Sequence, residues 1–247
     1  MDIIFYAHST EKQTKDDWQS LQEHLTNVGK LAEEFSIVFN CGPYGETAGL
    51  LHDLGKYTAE FQKRLEGQHP KVDHATWGAK IAIEKYGQFG YFIAYAIAGH
   101  HAGLANGQYR DDQKLTPLAE RCEKSNLPEL NPIWRKEIEE QLTEKLSPPP
   151  LISRQGFGCF QSSFLSRMIL SCLVDADRLD TENFCDRAAD ISNNLRGHYP
   201  NLEQLKINFD QKLKSYKNNS EINNRRAAIL AAVRHNAKTI DPGLFSA

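Results

Sequence analysis

The sequence predicts an all-α fold. Apolar residues recur at helical spacing in almost every apolar stretch, period-two alternation is nearly absent beyond a short N-terminal arm, and no internal repeat is present. The arm, Asp2 to Tyr6, reads as a short strand or extended segment, and Tyr6-Ala7-His8-Ser9 leads into a polar loop reaching Asp17. From Trp18 to Phe35 the positions Leu21, Leu25, Val28, Leu31, Ala32 and Phe35 form one helical stripe, and His24 lies on its core side. A break at Cys41-Gly42-Pro43 precedes a second helix, which ends at Leu50-Leu51-His52-Asp53-Leu54-Gly55-Lys56. There Gly55 is read as freeing the backbone after the His-Asp pair.

Phe61 and Leu65 predict a further short helix, and a polar loop through His69-Pro70 leads to Asp73-His74-Ala75 and a helix running to about Tyr86. Phe89, Phe92, Ile93, Ala96, Ile97 and His100 then trace a strongly amphipathic helix with His100 on its buried face. His101 follows directly. Consecutive helical residues point about 100° apart, so both imidazoles serve one site only at a helix end, where Gly99 and Gly103 let the chain turn. Residues 104–157 are more polar and read as a peripheral insertion with helices at about 115–125 and 132–146, closed by Pro148-Pro149-Pro150. Core character returns from Phe160 to Asp180. Leu170, Leu173 and Val174 precede Asp177 on one face, so Asp177 continues the buried stripe and Asp175 does not. Two more helical patterns, Leu202–Tyr216 and Ile222–Lys238, complete the chain, the second expected to pack through Ile222, Ile229 and Val233.

A length of 247 residues suits one large domain or two small ones, and 40% hydrophobic with 25% charged residues is ordinary for a globular chain. The five cysteines are scattered without a C-x-x-C, and there is no apolar run of transmembrane length and no signal-peptide pattern, so a cytoplasmic protein with buried thiols and no membrane partner is expected. A net charge of −3 excludes coating of nucleic acid by bulk attraction. No G-x-S-x-G is present. The Gly49-to-Lys56 stretch has five residues between its glycines and Tyr57 after the lysine, which excludes a P-loop.

The chemistry lies in the histidines. A lone histidine on a core stripe is more often a satisfied core residue than a ligand, and an aspartate such as Asp177 is as readily paired with Arg178 or Arg167. Collected together, His24, His52, Asp53, His74, His100, His101 and Asp177 all fall at helix ends or on buried faces, whereas His69, His198 and His235 read as solvent-facing and His8 is left open. Burying one such polar group without a partner costs on the order of 2–7 kcal/mol, and a divalent transition metal removes that penalty. Five imidazoles and two carboxylates exceed a single open site. They suit two metals bridged by one carboxylate, a pair about 3.5–4 Å apart that clamps the attacking and leaving oxygens of a phosphoryl displacement. Mixed nitrogen and oxygen ligation favours Mn, Fe, Co, Ni or Zn over Mg.

The order His24 … His52-Asp53-x-Gly55-Lys56 … His74 … His100-His101 … Ala176-Asp177-Arg178-Leu179 resembles the HD phosphohydrolase superfamily. The opening Tyr6-Ala7-His8-Ser9, the double histidine followed by Ala-Gly, the run from Asp175 to Glu182, and the Asn223-Asn224-Arg225-Arg226 and Pro242-Gly243-Leu244-Phe245-Ser246 segments are similar to one branch. That branch is the HD nuclease domain of the CRISPR-associated helicase–nuclease of type I interference. The resemblance implies one HD nuclease domain, an HD-domain helical bundle over residues 1–247, with residues 239–247 starting a linker to a helicase encoded in the same or a neighbouring chain. It implies metal-dependent hydrolysis of single-stranded DNA delivered by an RNA-guided surveillance complex. One metal would be held by His24, His52, Asp53 and Asp177, the other by Asp53, His74, His100 and His101, with Asp175 the alternate to Asp177. Asp53 and Lys56 would carry catalysis, Lys56 touching the scissile phosphate or steadying the nucleophile, and Thr181 would bind phosphate. The competing expectations are an HD nucleotidase or cyclic-nucleotide phosphodiesterase acting on small molecules, and a non-catalytic helical module.

Overall fold

The structure, a computed structural model, describes residues 3–12, 14–68, 70–108, 115–151, 158–191, 199–216 and 220–239. The expected linker start at 239–247 falls outside these residues except for Thr239, as do His69 and His198. The chain divides into two compact units, Met1–Ser192 and Asn193–Ala247.

The first unit is helical, as its periodicity requires. A two-stranded antiparallel ribbon, β1 (Tyr6–His8) and β2 (Gln19–Ser20), leads directly into α1 (Leu21–Ile37). Ser20 starts that helix with its hydroxyl accepting from the Glu23 amide, which satisfies one of the free N–H groups of the first turn. α2 (Gly42–Leu51) begins with Pro43 in its first turn, where a missing N–H costs nothing. A 3-10 turn over Leu54–Tyr57 leads to α3 (Ala59–Leu65), capped by the Thr58 hydroxyl. α4 (Thr76–Tyr86) and α5 (Gly90–Gly99) are joined by a second 3-10 turn at Gly87–Phe89, and the long α8 (Gly158–Ala188) lies along the bundle. α1 packs on α2 and α8, and α5 packs on α4 and α8. Leu21, Leu25, Leu51, Leu54, Ile93, Ile97, Ile169 and Leu173 are fully buried between them.

The stretch expected as a peripheral insertion behaves differently. Of the two helices predicted at 115–125 and 132–146, only α6 (Leu118–Cys122) and α7 (Ile133–Glu137), with a 3-10 turn at Glu139–Gln141, are formed. Pro117, Pro128, Pro132 and the Pro148–Pro150 run interrupt the backbone pairing that longer helices need. The rest is a strap laid on the bundle. Leu118, Trp134, Ile138, Leu142 and Leu146 are buried in the main core. Three buried tyrosines fix the strap from the helical side: the Tyr57 hydroxyl donates to Glu137 Oε2 at 2.7 Å, and those of Tyr86 and Tyr44 donate to the Thr143 and Ser147 carbonyls, each at 2.8 Å.

The second unit contributes α9 (Leu202–Lys214), capped by Asn201, and α10 (Glu221–Thr239). Arg234 of α10 pairs with Asp210 of α9, and Ile222, Ile229 and Val233 are exposed.

Candidate metal centre

His52 and His100 directly follow the last residues of α2 and α5, His74 lies just before α4, His24 is in the first turn of α1 and Asp177 lies within α8. At the end of α5 the chain turns through Gly103, whose φ of +88° is readily adopted by glycine, and the Gly103 amide donates back to the Gly99 carbonyl at 2.7 Å. That turn sets the His100 and His101 rings together, their centroids 3.9 Å apart. Gly55 has a different role from the one its sequence suggests. Its φ is not positive; instead its amide donates to the His74 carbonyl at 2.9 Å, and a Cβ there would lie 2.5 Å from the His74 Cα. Glycine is required so that the His74 segment can lie against the His52-Asp53 turn.

All seven predicted ligands converge. Asp53, 3% exposed, stands at the middle with its two oxygens turned to different partners. Oδ1 lies 3.5 Å from both His74 Nε2 and His100 Nε2, while Oδ2 lies 3.7 Å from His24 Nε2 and 3.4 Å from His52 Nε2. Asp177 Oδ1 adds contacts of 3.5 Å to His24 and 3.6 Å to His52, and Asp175 is exposed to solvent. His101 Nε2 is 2.9 Å from His74 Nε2.

Two sets of donor atoms, each compact enough to surround one cation, follow from this: Asp53, His74, His100 and His101, and His24, His52 and Asp53. A third overlapping set joins His24 and Asp177 to His8, the histidine whose role the sequence leaves open. His8 reaches the centre from β1. Its ring meets that of His24 edge-on at 4.9 Å, stacks on Phe184, and its Nε2 pairs with the Thr181 hydroxyl at 3.3 Å. Thr181, expected to bind phosphate, thus holds His8. Lys56 is also drawn inward: its ammonium lies 2.6 Å from Asp53 Oδ2 and donates to the Ala7 carbonyl.

The outer nitrogens decide what the inner ones can do. His52 Nδ1 donates to the Gly49 carbonyl at 2.8 Å, His100 Nδ1 to the Ile97 carbonyl at 2.6 Å, and His74 Nδ1 to the Val72 carbonyl at 3.3 Å. A carbonyl only accepts, so each Nδ1 carries a proton and each Nε2 points inward. His24 Nδ1 is held at 2.7 Å by Asp180 Oδ2, a carboxylate that also accepts from Gln19 and Asn27. Sequence reasoning alone does not single out Asp180, although it lies one turn beyond Asp177 on the same face. Fixing the far nitrogen of each imidazole is the usual second layer of a metal site.

The consequence is a buried demand for positive charge. Nε2 of His24, His52 and His100, and Oδ1 of Asp53, are buried without a hydrogen-bond partner. Inward lone pairs facing carboxylate oxygens at 3.4–3.7 Å repel one another unless a cation lies between them. Donor atoms about 2.0–2.2 Å from one ion lie about 3.0–3.5 Å apart, so the residues fit a divalent metal closely. The electrostatics agree. Burial lowers the pKa of His74, pushes His101 down to about 4 with help from His100, and pushes His8 down to about 3, so these rings are neutral and available as ligands at neutral pH. Burial also opposes charge on His52, but Asp53 and Asp177 outweigh it and raise His52 to about 10, a proton there standing in for the cation.

This helical bundle gathers histidines and aspartates into a candidate centre for divalent metal. Residues 21–129 match the family model of the HD domain. That span contains His24, His52, Asp53, Lys56, His74, His100 and His101, while Asp177 reaches the centre from α8 outside it. No curated protein matches the chain. Among the described residues, no helix is long and apolar enough to cross a membrane.

Proposed function

We propose that this chain is a metal-dependent endonuclease that hydrolyses phosphodiester bonds of single-stranded DNA, the nuclease part of CRISPR type I interference. The observation that carries the reading is the division of Asp53, whose two oxygens face two separate sets of imidazole nitrogens. A shared carboxylate between two donor sets is what a two-ion phosphoryl-transfer site needs. His24, His52, Asp53 and Asp177 would hold one ion, and Asp53, His74, His100 and His101 the other. Bound there, the ions supply Lewis-acid neutralisation at the phosphoryl oxygens and shift the ionisation of water towards neutral pH. Lys56, fixed between Asp53 and the Ala7 carbonyl, orients the shared carboxylate. The carbonyls of Gly49, Val72 and Ile97 and the Asp180 carboxylate keep the imidazoles aimed inward.

The residue order and flanking segments described above favour the CRISPR branch. In that setting a helicase domain, in the same or a neighbouring chain, would feed a strand displaced by an RNA-guided surveillance complex. A chain of net charge −3 suits delivery by partners better than unaided capture of DNA. The test is an assay on circular single-stranded DNA across Mn, Fe, Co, Ni, Zn and Mg, with mononucleotides and cyclic nucleotides in parallel. Metal-dependent linearisation of the circle is expected. Release of phosphate from nucleotides with no cut in the circle would replace this reading with that of a nucleotidase.

A further inference from the structure

Two clefts open onto the same edge of the centre. One, of about 350 Å³, is lined by His8, Lys56, Phe61 and Arg64 together with His74 and His101. The other, of about 360 Å³, is lined by Lys71, Thr116, Arg121 and Lys124 together with His74, His100 and His101. His74 and His101 therefore stand between two cavities of similar size. A small nucleotide needs one cavity beside the reacting phosphate. A diester cut within a chain needs room on both sides.

The cations in the two clefts are not equivalent. Lys124 is neutralised by Asp73 at 2.8 Å, and Lys56 by Asp53. Arg64, Arg121 and the exposed Lys71 have no carboxylate partner among the described residues, and only the two arginines offer a planar fork. The Arg64 guanidinium lies over the Phe61 ring at 5.6 Å, and Arg121 Nε is buried without a hydrogen-bond partner. A buried donor left unpaired costs about 1–3 kcal/mol, more when charged, and a phosphate diester matches the planar guanidinium fork. One arginine without a carboxylate partner sits in each cleft, and Arg121 alone of the two has a buried unpaired nitrogen.

Resting on the reading of the centre as a DNA phosphodiesterase, we propose that a single DNA strand crosses the centre from one cleft to the other, with Arg64 and Arg121 each holding a backbone phosphate on opposite sides of the scissile one. The strand is gripped on both flanks, so cutting is internal and no free end is required.

The test is fluorescence anisotropy of the as-purified full chain with a phosphorothioate-linked oligothymidine of about 15 nucleotides, a length matched to single-strand site sizes, measured over a series of NaCl concentrations. For a single strand, removing one cation that neutralises a phosphate makes the slope of log K against log salt shallower by about 0.7. Arg64→Gln and Arg121→Gln should each produce that change, the double variant about twice it, and Arg→Lys at either position should keep most of the wild-type slope. Melting temperatures check that the variants fold. If Arg121→Gln fails to fold, Arg121→Met, which keeps the aliphatic stem and removes the charge, takes its place, with the same shallower slope expected. Wild-type slopes in the Gln variants, with circular DNA still being cut, overturn the strand path and leave the nuclease reading intact. Shallower slopes with no cutting by wild type at any metal support the path and overturn the nuclease reading.

Discussion

Asp180 Oδ2 lies 2.7 Å from His24 Nδ1, on the side of the ring away from the metal centre. The same carboxylate accepts from Gln19 at 2.7 Å and Asn27 at 2.9 Å, so three donors converge on one buried anion. Those donors hold its pKa below the ordinary carboxylate range against the opposing effect of burial. An ionised Asp180 forces the His24 proton onto Nδ1 and leaves Nε2 free. Asp180→Asn should therefore weaken metal binding by about 10–100-fold without removing a ligand. Calorimetric titration of the apoprotein measures this, and an unchanged affinity would show that His24 needs no such support.

Asp53 invites a sharper test, because it alone among the predicted ligands faces both donor sets. Asp53→Ala should abolish activity and reduce metal content at both positions together. His100→Ala, which touches Asp53 only through Oδ1, should spare the His24–His52 side. Elemental analysis distinguishes the two cases by stoichiometry. If Asp53→Ala retains two ions per chain, the carboxylate is not a bridge.

The helical stripes and the ligands at their ends are legible in the sequence because each is written locally. His100 shows on its stripe through Phe89, Phe92, Ile93, Ala96 and Ile97, and Asp177 through Leu170, Leu173 and Val174. What cannot be read there arises between distant segments. His8 comes in on a three-residue strand too short for a period, and it is placed by Phe184 and Thr181 from the far end of the unit. The family resemblance puts Lys56 on the scissile phosphate or beside the nucleophile, while its contacts with the Ala7 carbonyl and Asp53 come from chain segments that the local sequence does not bring together. The strap from Trp134 to Leu146 reads as peripheral because its buried residues are spaced for packing against several helices in turn. Asp180 is legible in principle, one turn after Asp177 with polar Gln19, His24 and Asn27 near the start of α1.

Gly55 gives a prediction that joins stability to the site. An added Cβ would lie within 2.5–2.8 Å of the His74 Cα, carbonyl oxygen and carbonyl carbon, all backbone atoms that cannot swing aside. Relief requires the His74 segment to move away from the His52-Asp53 turn. Gly55→Ala should cost about 1–3 kcal/mol, as overpacking generally does, and should lower affinity for the ion on the His74 side. Chemical denaturation and metal titration of the same variant check both effects. Preserved stability would mean that the two segments are not held together at this point.

The tyrosines that pin the strap predict the alkaline limit of the fold. Burial raises the pKa of Tyr44, Tyr57 and Tyr86; for Tyr86 it reaches about 12, and for Tyr57 the Glu137 carboxylate adds to the effect. Unfolded, each hydroxyl ionises near pH 10. A pKa higher in the folded state means that the unfolded state sheds protons first as pH rises. The contribution of these groups is therefore complete below about pH 10 and is lost above it, by about 1.4 kcal/mol per pH unit for each tyrosine. Denaturant midpoints should stay level with respect to these groups below pH 10 and fall steeply beyond it. Tyr57→Phe should reduce the steepness by one group while lowering stability at neutral pH, since Glu137 loses its 2.7 Å donor. The difference in absorbance near 295 nm between wild type and Tyr57→Phe isolates Tyr57 from the exposed tyrosines and should rise together with loss of the helical signal. A difference signal that appears at pH 10 while the helices stay intact would show that the strap does not bury the Tyr57 hydroxyl.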